Sequence, residues 1–318
     1  MQQLKIYCYG YLNIEKDAEV ITQFDTDKAR ALLVYLAVEC HKPVTRSYLA
    51  GLLWSDLAEK QALQSLRQTL TILRKVLGDN VSENPIIQSD RDHLRLNSTI
   101  QVWVDVLAFK QQLKQAYSHF QRQEQFHQIN FRTLKKGLQL RKGEFLDGFS
   151  ISGAPLFEEW VSILREDLDH QAAEGLEHLA HYYQNRGEFA LAQETIQRIL
   201  QISPWNESVH LMMMRLYAMD NQWSAFENQY RILRKFLKEE IGVEPALDTR
   251  LYYEDIHHHQ KNSPFLKQDI TFPNNITQHE LRFIGREKEL DEITSLLVDP
   301  ACRLVTLQIG RASWRERV

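Results

Sequence analysis

A unit of 34 residues in the middle of the chain, residues 173–206, restricts the fold more than any other sequence feature. Large and small apolar side chains recur in it at the spacing of two consecutive helices. The small residues let two antiparallel helices approach closely, and the large ones fill the groove between them. The positions that carry the pattern are Leu176, Leu179, Ala180, Tyr183, Ala192, Ile196, Ile199 and Pro204.

This spacing is typical of a tetratricopeptide repeat. Residues 213–230 repeat it less regularly, with Met213, Met214 and Tyr217 in the first half and Ala225 and Tyr230 in the second. The sequence is almost wholly helical in pattern from residue 102 to about 257. Residues 99–260 are therefore predicted to form a tetratricopeptide-like domain of tandem helix pairs.

The N-terminal part has a different order of elements. Residues 4–21 contain short β-type stretches that predict a small antiparallel sheet. Residues 29–40, 45–53 and 55–77 then carry apolar residues at helical spacing, and residues 85–96 read as a hairpin. A sheet, three helices and a hairpin in this order predict a winged helix-turn-helix over residues 1–98. The whole chain is thus expected to be mainly helical with a small β component.

Capping residues set the expected helix limits. The predicted signals are Asp25 or Thr26 at the start of the first helix, Thr45 at the second, Asp56 with Glu59 as a capping box at the third, and Gly78 at the end of the third.

The third helix is the most informative segment for function. Five leucines spaced by three and four residues form one apolar stripe, at positions 63, 66, 70, 73 and 77. The remaining surface carries Gln64, Arg67, Gln68, Thr71, Arg74 and Lys75. Gln and Arg can make bidentate hydrogen bonds to base edges in a major groove, and Arg and Lys neutralise phosphates. An ordinary amphipathic helix with a solvated polar face is the alternative, but the position between a short helix and a hairpin favours a recognition helix.

Two further places are candidate DNA contacts. Thr45 and Arg46 begin the second helix, where N–H groups and a hydroxyl can hold a phosphate, although Thr45 is also explained as an N-cap. Arg91 and Arg95 on the hairpin can reach a minor groove or phosphates, while neighbouring Asp90 opposes this. Residues 42–95 contain eight basic and six acidic side chains, so affinity must depend on their placement rather than on bulk charge.

Composition excludes several other classes of protein. The formal net charge of -4 gives no global sign of a nucleic-acid partner. Cys8, Cys40 and Cys302 have no metal-type spacing and are typical of a reducing compartment. Since no secretory core or long apolar run occurs, a cytoplasmic protein without membrane contact is expected. Three adjacent histidines, residues 257–259, cannot all face one ion, and the sequence contains no nucleophile–base signature and no metal-ligand spacing. No metal, cofactor or catalytic residues are therefore predicted.

These segments resemble a known family. The motifs KARALLVYLA (28–37), LAGLLWSD (49–56) and LRQTLTILRKVLG (66–78) resemble the OmpR-like winged-helix domain of the Streptomyces antibiotic regulatory protein family. Further motifs, GEFL (143–146) and EEIGVEP (239–245), resemble its bacterial transcriptional activator domain. The resemblance covers about residues 1–260. It implies binding to double-stranded promoter DNA, with the helical domain contacting RNA polymerase or a second protomer.

The C-terminal residues carry a second resemblance. After an expected linker at 261–282, the motifs FIGREKEL (283–290) and RLVTL (303–307) resemble the start of a signal-transduction NTPase domain. No phosphate-binding Gly-rich loop with Lys follows. Residues 309–318 resemble a translated sequencing adapter, so residues 283–318 are interpreted as a truncated domain start with an artefactual tail.

The sequence therefore predicts a sequence-specific DNA-binding regulator that activates transcription. No enzyme activity is predicted. Two other functions remain open on the sequence. In the first alternative, the chain is a protein-interaction adaptor whose helical repeats bind a protein and whose first domain no longer binds DNA. In the second, the chain is the regulatory half of a longer NTPase switch.

Overall fold

The computed structural model describes residues 3–39, 42–120 and 128–262. Its N-terminal part, up to residue 104, contains both short strands and helices. The elements here are β1 (Gln3–Tyr7), β2 (Asn13–Lys16), β3 (Glu19–Val20), α1 (Asp27–Val38), β4 (Val44–Thr45), α2 (Arg46–Leu53), α3 (Glu59–Leu77), β5 (Ile87–Ser89), β6 (His93–Leu96) and β7 (Gln101–Val104).

Helices make up nearly all of the regular structure that follows. They are α4 (Asp105–Phe120), α5 (Gln128–Leu138), α6 (Pro155–Asn185), α7 (Phe189–Ile202), α8 (Glu207–Met219), α9 (Trp223–Phe236), a π-helical segment (Leu237–Ile241) and α10 (Leu247–Asn262). The predicted fold class, a mainly helical chain with a winged helix-turn-helix followed by tetratricopeptide-like helices, is confirmed.

Two small sheets flank the first three helices. One has the strand order β3-β2-β1-β7, and the other has the order β4-β6-β5. The antiparallel strands β1–β3 follow the sequence prediction, but β7 joins their sheet parallel to β1, with Leu4 opposite Val102. Periodicity within one segment cannot reveal this pairing because the two strands are about a hundred residues apart.

The predicted caps are confirmed at three of four places. The Thr26 hydroxyl accepts the Ala29 N–H and the Thr45 hydroxyl accepts the Tyr48 N–H, each at 3.3 Å. Gly78 ends α3 with a left-handed backbone, φ 70°.

The capping box expected at the start of α3 is wrong. The helix begins at Glu59, and its N-cap is Ala58, which has no side-chain cap. Leu57 N–H instead donates to the Trp54 carbonyl oxygen in the turn that follows α2. The Asp56 carboxylate lies beside Gly153, where an added Cβ would come within 2.9 Å of its Oδ2 atom. Asp56 therefore contacts the segment before α6 rather than the first turn of α3.

The hydrophobic core is continuous from the N-terminal sheet into α8. The backbone joins the two halves directly, since Gly10 N–H donates to Glu144 O and Leu146 N–H donates to Cys8 O, each at 2.7 Å. Buried residues of the predicted 34-residue unit, such as Leu176 and Ala192, lie at the interface of α6 and α7. Within the described ranges, no helix is long and apolar enough to cross a membrane. The residues expected to form the NTPase start and those interpreted as an artefactual tail lie outside the described residues, as do all but the first two residues of the expected linker.

Candidate nucleic-acid interface

Helix α3 is held in place by its leucine stripe. Leu66, Leu70, Leu73 and Leu77 are buried, and Leu63 is partly buried against the same core. Burying a leucine stabilises a fold by roughly 1.5–3 kcal/mol, so the rotation of α3 about its axis is strongly fixed. The opposite face must therefore point to solvent.

The side chains of α3 that are predicted to contact bases or phosphates lie on that solvent face. Gln64, Arg67, Gln68, Thr71 and Lys75 are all exposed. The Thr71 hydroxyl donates to the Arg67 carbonyl oxygen at 2.9 Å, so its lone pairs remain able to accept a hydrogen bond. This face offers amide, guanidinium, ammonium and hydroxyl groups on one rigid element.

Arg74 occupies a different environment from the rest of the set. It is half-buried, and its Nη2 atom donates to the Ser89 hydroxyl at 2.6 Å. Since Ser89 ends β5, this bond ties α3 to the hairpin. The guanidinium lies where α3 and the hairpin meet.

Arg46 also contacts the hairpin. Its backbone N–H donates to Asp92 O at 2.8 Å, and its guanidinium donates to Asp90 O at 3.1 Å and 3.3 Å. Thr45, the N-cap of α2, lies in β4, which pairs with β6 of the hairpin. The first turn of α2 and the hairpin turn therefore form one unit.

Asp90 organises the turn of the hairpin. Its Oδ1 atom accepts the N–H groups of Asp92 at 2.8 Å and His93 at 2.7 Å. These hydrogen bonds, the Asp92 one first, hold the pKa of the Asp90 carboxyl below its usual value. Arg91 and Arg95 are exposed beside it, and Arg95 Nε donates to Gln88 at 3.0 Å. Asp90, whose negative charge opposes a basic wing, thus stabilises the turn of the hairpin.

Asp79 is a positioning residue that sequence reasoning missed. Its buried carboxylate accepts the N–H groups of Ile86 at 2.8 Å and Ile87 at 2.9 Å. It therefore connects the end of α3 to the start of β5. An acid directly after a helix-ending glycine is a weak signal, because the distant donors that it meets are not visible in the pattern.

Nothing in the described part of the chain is arranged as a metal site. No group of three or more His, Cys, Asp or Glu side chains there is placed to hold an ion. The Nδ1 atom of His257 lies 3.3 Å from Glu227 Oε1.

Comparison with known proteins points to regulation of transcription. Residues 104–257 match the family model described as bacterial transcriptional activator domain. The chain is 24% identical over 238 residues to the transcriptional regulatory protein MoaR1 of Mycobacterium bovis (strain BCG / Pasteur 1173P2), covering 73% of this chain and 72% of that protein. These matches are to transcriptional regulators and not to enzymes.

A solved structure shares the fold. Mycobacterium tuberculosis EmbR in complex with a low affinity phosphopeptide superimposes with a TM-score of 0.60 at 19% identity. The match covers 81% of this chain and 66% of that one, so the chain spans about two thirds of the length of the solved relative.

Proposed function

We propose that this chain, a transcriptional regulator of the Streptomyces antibiotic regulatory protein-like family, binds promoter DNA with sequence specificity through α3 and activates transcription. The domains are proposed as residues 1–98 for DNA binding and 99–260 for contacts with other proteins.

The observation that carries the proposal is the composition of the exposed face of α3. Gln64, Gln68 and Thr71 supply hydrogen-bonding groups suited to base edges. Arg67 and Lys75 supply exposed positive charge for bases or phosphates. These side chains lie on the solvent face of a helix whose other side is buried, which is the arrangement that a helix needs to enter a major groove.

The hairpin acts as the wing in this proposal. Arg91 and Arg95 contact the adjacent phosphates or minor groove, and Thr45 and Arg46 contact phosphate at the first turn of α2. Arg46 and Arg74 already hydrogen-bond to the hairpin. Their main contribution is therefore to hold α2, α3 and the wing at a fixed angle to the duplex.

The activator domain supplies the partner contacts. Its paired helices present long exposed surfaces of the kind that helical-repeat proteins use to bind proteins. RNA polymerase or a second protomer is the proposed partner, as the resemblance to the Streptomyces antibiotic regulatory protein family implies for the region that matches the activator-domain model.

Footprinting of the full chain on DNA from upstream of its own gene, across a salt series, tests the proposal. Arg67→Ala/Lys75→Ala should abolish the specific footprint, and the residual non-specific binding should have a slope of log affinity against log salt that is smaller by up to about 2. The matched control is Arg132→Ala/Lys136→Ala, which removes the same two charges from exposed positions on α5. It should bind as the wild type does.

Two outcomes contradict the proposal. One is absence of binding at low salt by the folded wild type, which would favour the adaptor function. The other is equal loss of affinity in both double variants, which would indicate a non-specific charge effect rather than recognition by α3.

A further inference from the structure

A recessed cavity of about 190 Å³ lies in the activator domain between α6, α7 and the segment that follows α5. Three of its lining side chains are cationic: Arg141, Lys142 and Arg198. Leu176 of α6 contributes an apolar part of the wall, and Gln201 of α7 a polar one. No carboxylate is among the described residues that line the cavity.

Both arginines are held in place by neighbouring groups. Arg141 donates to Asp169 Oδ1 from Nη2 at 2.6 Å and from Nε at 3.2 Å, and its side chain is only 16% exposed. Arg198 Nη2 donates to the Leu138 carbonyl oxygen at 3.1 Å. Each guanidinium has five N–H donors, so these bonds fix its position and leave further donors for another acceptor. Preorganised donors of this kind lose little entropy on binding.

The charges around the cavity do not balance. Burial lowers the pKa of the Arg198 guanidinium, Glu194 partly opposes this, and the nearby positive charge of Arg141 lowers it again. Arg141 and Arg198 line the same cavity, so their positive charges repel each other there. Asp169 and Glu194 together offset two of the three cations, and Lys142 is exposed. One positive charge remains among these groups, which favours binding of an anion in the cavity that they line.

We propose that this cavity binds a small anion that carries a phosphate group. Guanidinium groups match phosphate oxygens with paired hydrogen bonds, and two of them with an ammonium group suit the several acceptors of a phosphate better than the two oxygens of a carboxylate. The cavity volume fits a phosphate group with a small substituent and is too small for a peptide segment. Neither the family match nor the DNA-binding proposal assigns a ligand here.

The position of the cavity gives this ligand a direct effect on the first domain. Lys142 and Gly143 line it, and the next residues pair with the end of the N-terminal sheet through Glu144 O and Leu146 N–H. An added Cβ at Gly143 would lie 3.0 Å from Gly10 Cα, so the two segments are in close contact. An occupant that orders residues 141–143 therefore stabilises the backbone junction between the domains.

Thermal unfolding of the full chain with inorganic phosphate as the probe, at ionic strength held constant with chloride, tests the site. Phosphate should raise the melting temperature of the wild type with a saturable dependence on concentration. It should raise that of Lys136→Ala equally, since Lys136 is an exposed lysine on α5 outside the cavity. Lys142→Ala/Arg198→Gln should lose the shift, which corresponds to affinity at least about tenfold weaker.

The single variant Lys142→Ala keeps the test decisive if the double variant does not fold, because Lys142 is exposed and its removal leaves both arginine contacts intact. It should weaken phosphate binding several-fold. Hydrogen exchange provides a second readout, in which phosphate slows exchange of the Gly10 and Leu146 amides in the wild type. Absence of a saturable shift, or an equal shift in Lys142→Ala and the wild type, would overturn the proposal.

DNA is the other source of the same chemistry. A duplex oligonucleotide is therefore the second probe, and Lys142→Ala should bind it as the wild type does. Loss of duplex affinity in Lys142→Ala would assign the cavity to the DNA backbone and overturn the small-anion proposal. Because the phosphate test does not require promoter binding, its result is distinguishable from failure of the proposed function.

Discussion

The carboxylate of Asp105 accepts the backbone N–H of Cys8, with both oxygen atoms 2.9 Å from the nitrogen. Asp105 begins α4, and it also accepts the Tyr9 N–H at 2.9 Å and the Val106 N–H at 2.7 Å. Burial raises the pKa of this carboxyl, and the backbone hydrogen bonds partly oppose the rise. One buried acid thus satisfies the backbone donors at the junction of the N-terminal sheet and α4.

Asp105→Asn should destabilise the chain by about 1–3 kcal/mol, because the amide NH₂ would replace an acceptor and face the backbone N–H donors. Urea unfolding of the two proteins measures the difference. Asp25→Asn is the control, since Asp25 is exposed, and its free energy of unfolding should match the wild type. Equal stability of Asp105→Asn and wild type would show that the acid is not needed at the junction.

Gln68→Ala should reduce discrimination between the operator and a scrambled site by about 1–3 kcal/mol, as expected for a lost bidentate base contact. Affinity for the scrambled site should change little because Gln68 carries no charge. Competition binding with both duplexes measures the ratio of the two affinities. The control is Gln139→Ala, because Gln139 is an exposed glutamine directly after α5. An unchanged ratio of operator affinity to scrambled-site affinity would show that Gln68 does not contact a base.

Trp160 of α6 contacts the winged-helix domain. Its Nε1 atom donates to Glu39 at 3.2 Å, and its ring centroid lies 5.0 Å from that of Tyr35. Trp160→Ala should cost roughly 2–3 kcal/mol, less than a fully buried tryptophan, and should speed hydrogen exchange in α1. Trp205→Ala is the matched control, since Trp205 is 57% exposed. Similar losses in the two variants would argue against a specific role for Trp160 at the junction.

His210 predicts a pH dependence of stability. The buried ring bonds Pro204 O through Nε2 at 2.9 Å and Gln229 through Nδ1 at 2.7 Å, and burial lowers its pKa below 6.5. As the pH falls below 6.5, the unfolded chain binds a proton that the folded chain does not. The free energy of unfolding should therefore decrease as the pH is lowered below 6.5. This group contributes at most about 1.4 kcal/mol of that decrease per pH unit.

Urea unfolding at pH 7.5 and 5.5 checks this for the wild type, His210→Gln and His181→Gln. The pH-dependent loss should be smaller in His210→Gln and unchanged in His181→Gln, because His181 is exposed. The same loss in all three proteins would place the titration elsewhere among the twelve histidines of the chain.

Local patterns in the sequence were enough to predict the helices and their order. The leucine stripe of α3 and the small and large residues of α6 and α7 repeat at 3.6-residue spacing, which depends only on neighbours along the chain. Thr26, Thr45 and Gly78 cap their helices within three residues. The exposed face of α3 followed from the buried one.

Only the tertiary structure decided how these elements meet. The parallel pairing of β1 with β7, the bonds of Arg46 and Arg74 to the hairpin, and the placement of Asp105 under Cys8 each join groups distant in sequence. A local pattern shows that a side chain is polar or charged. Which distant donor or acceptor that side chain meets depends on how the complete core packs. Core packing therefore decides which polar side chains stabilise the fold and which remain available to a ligand.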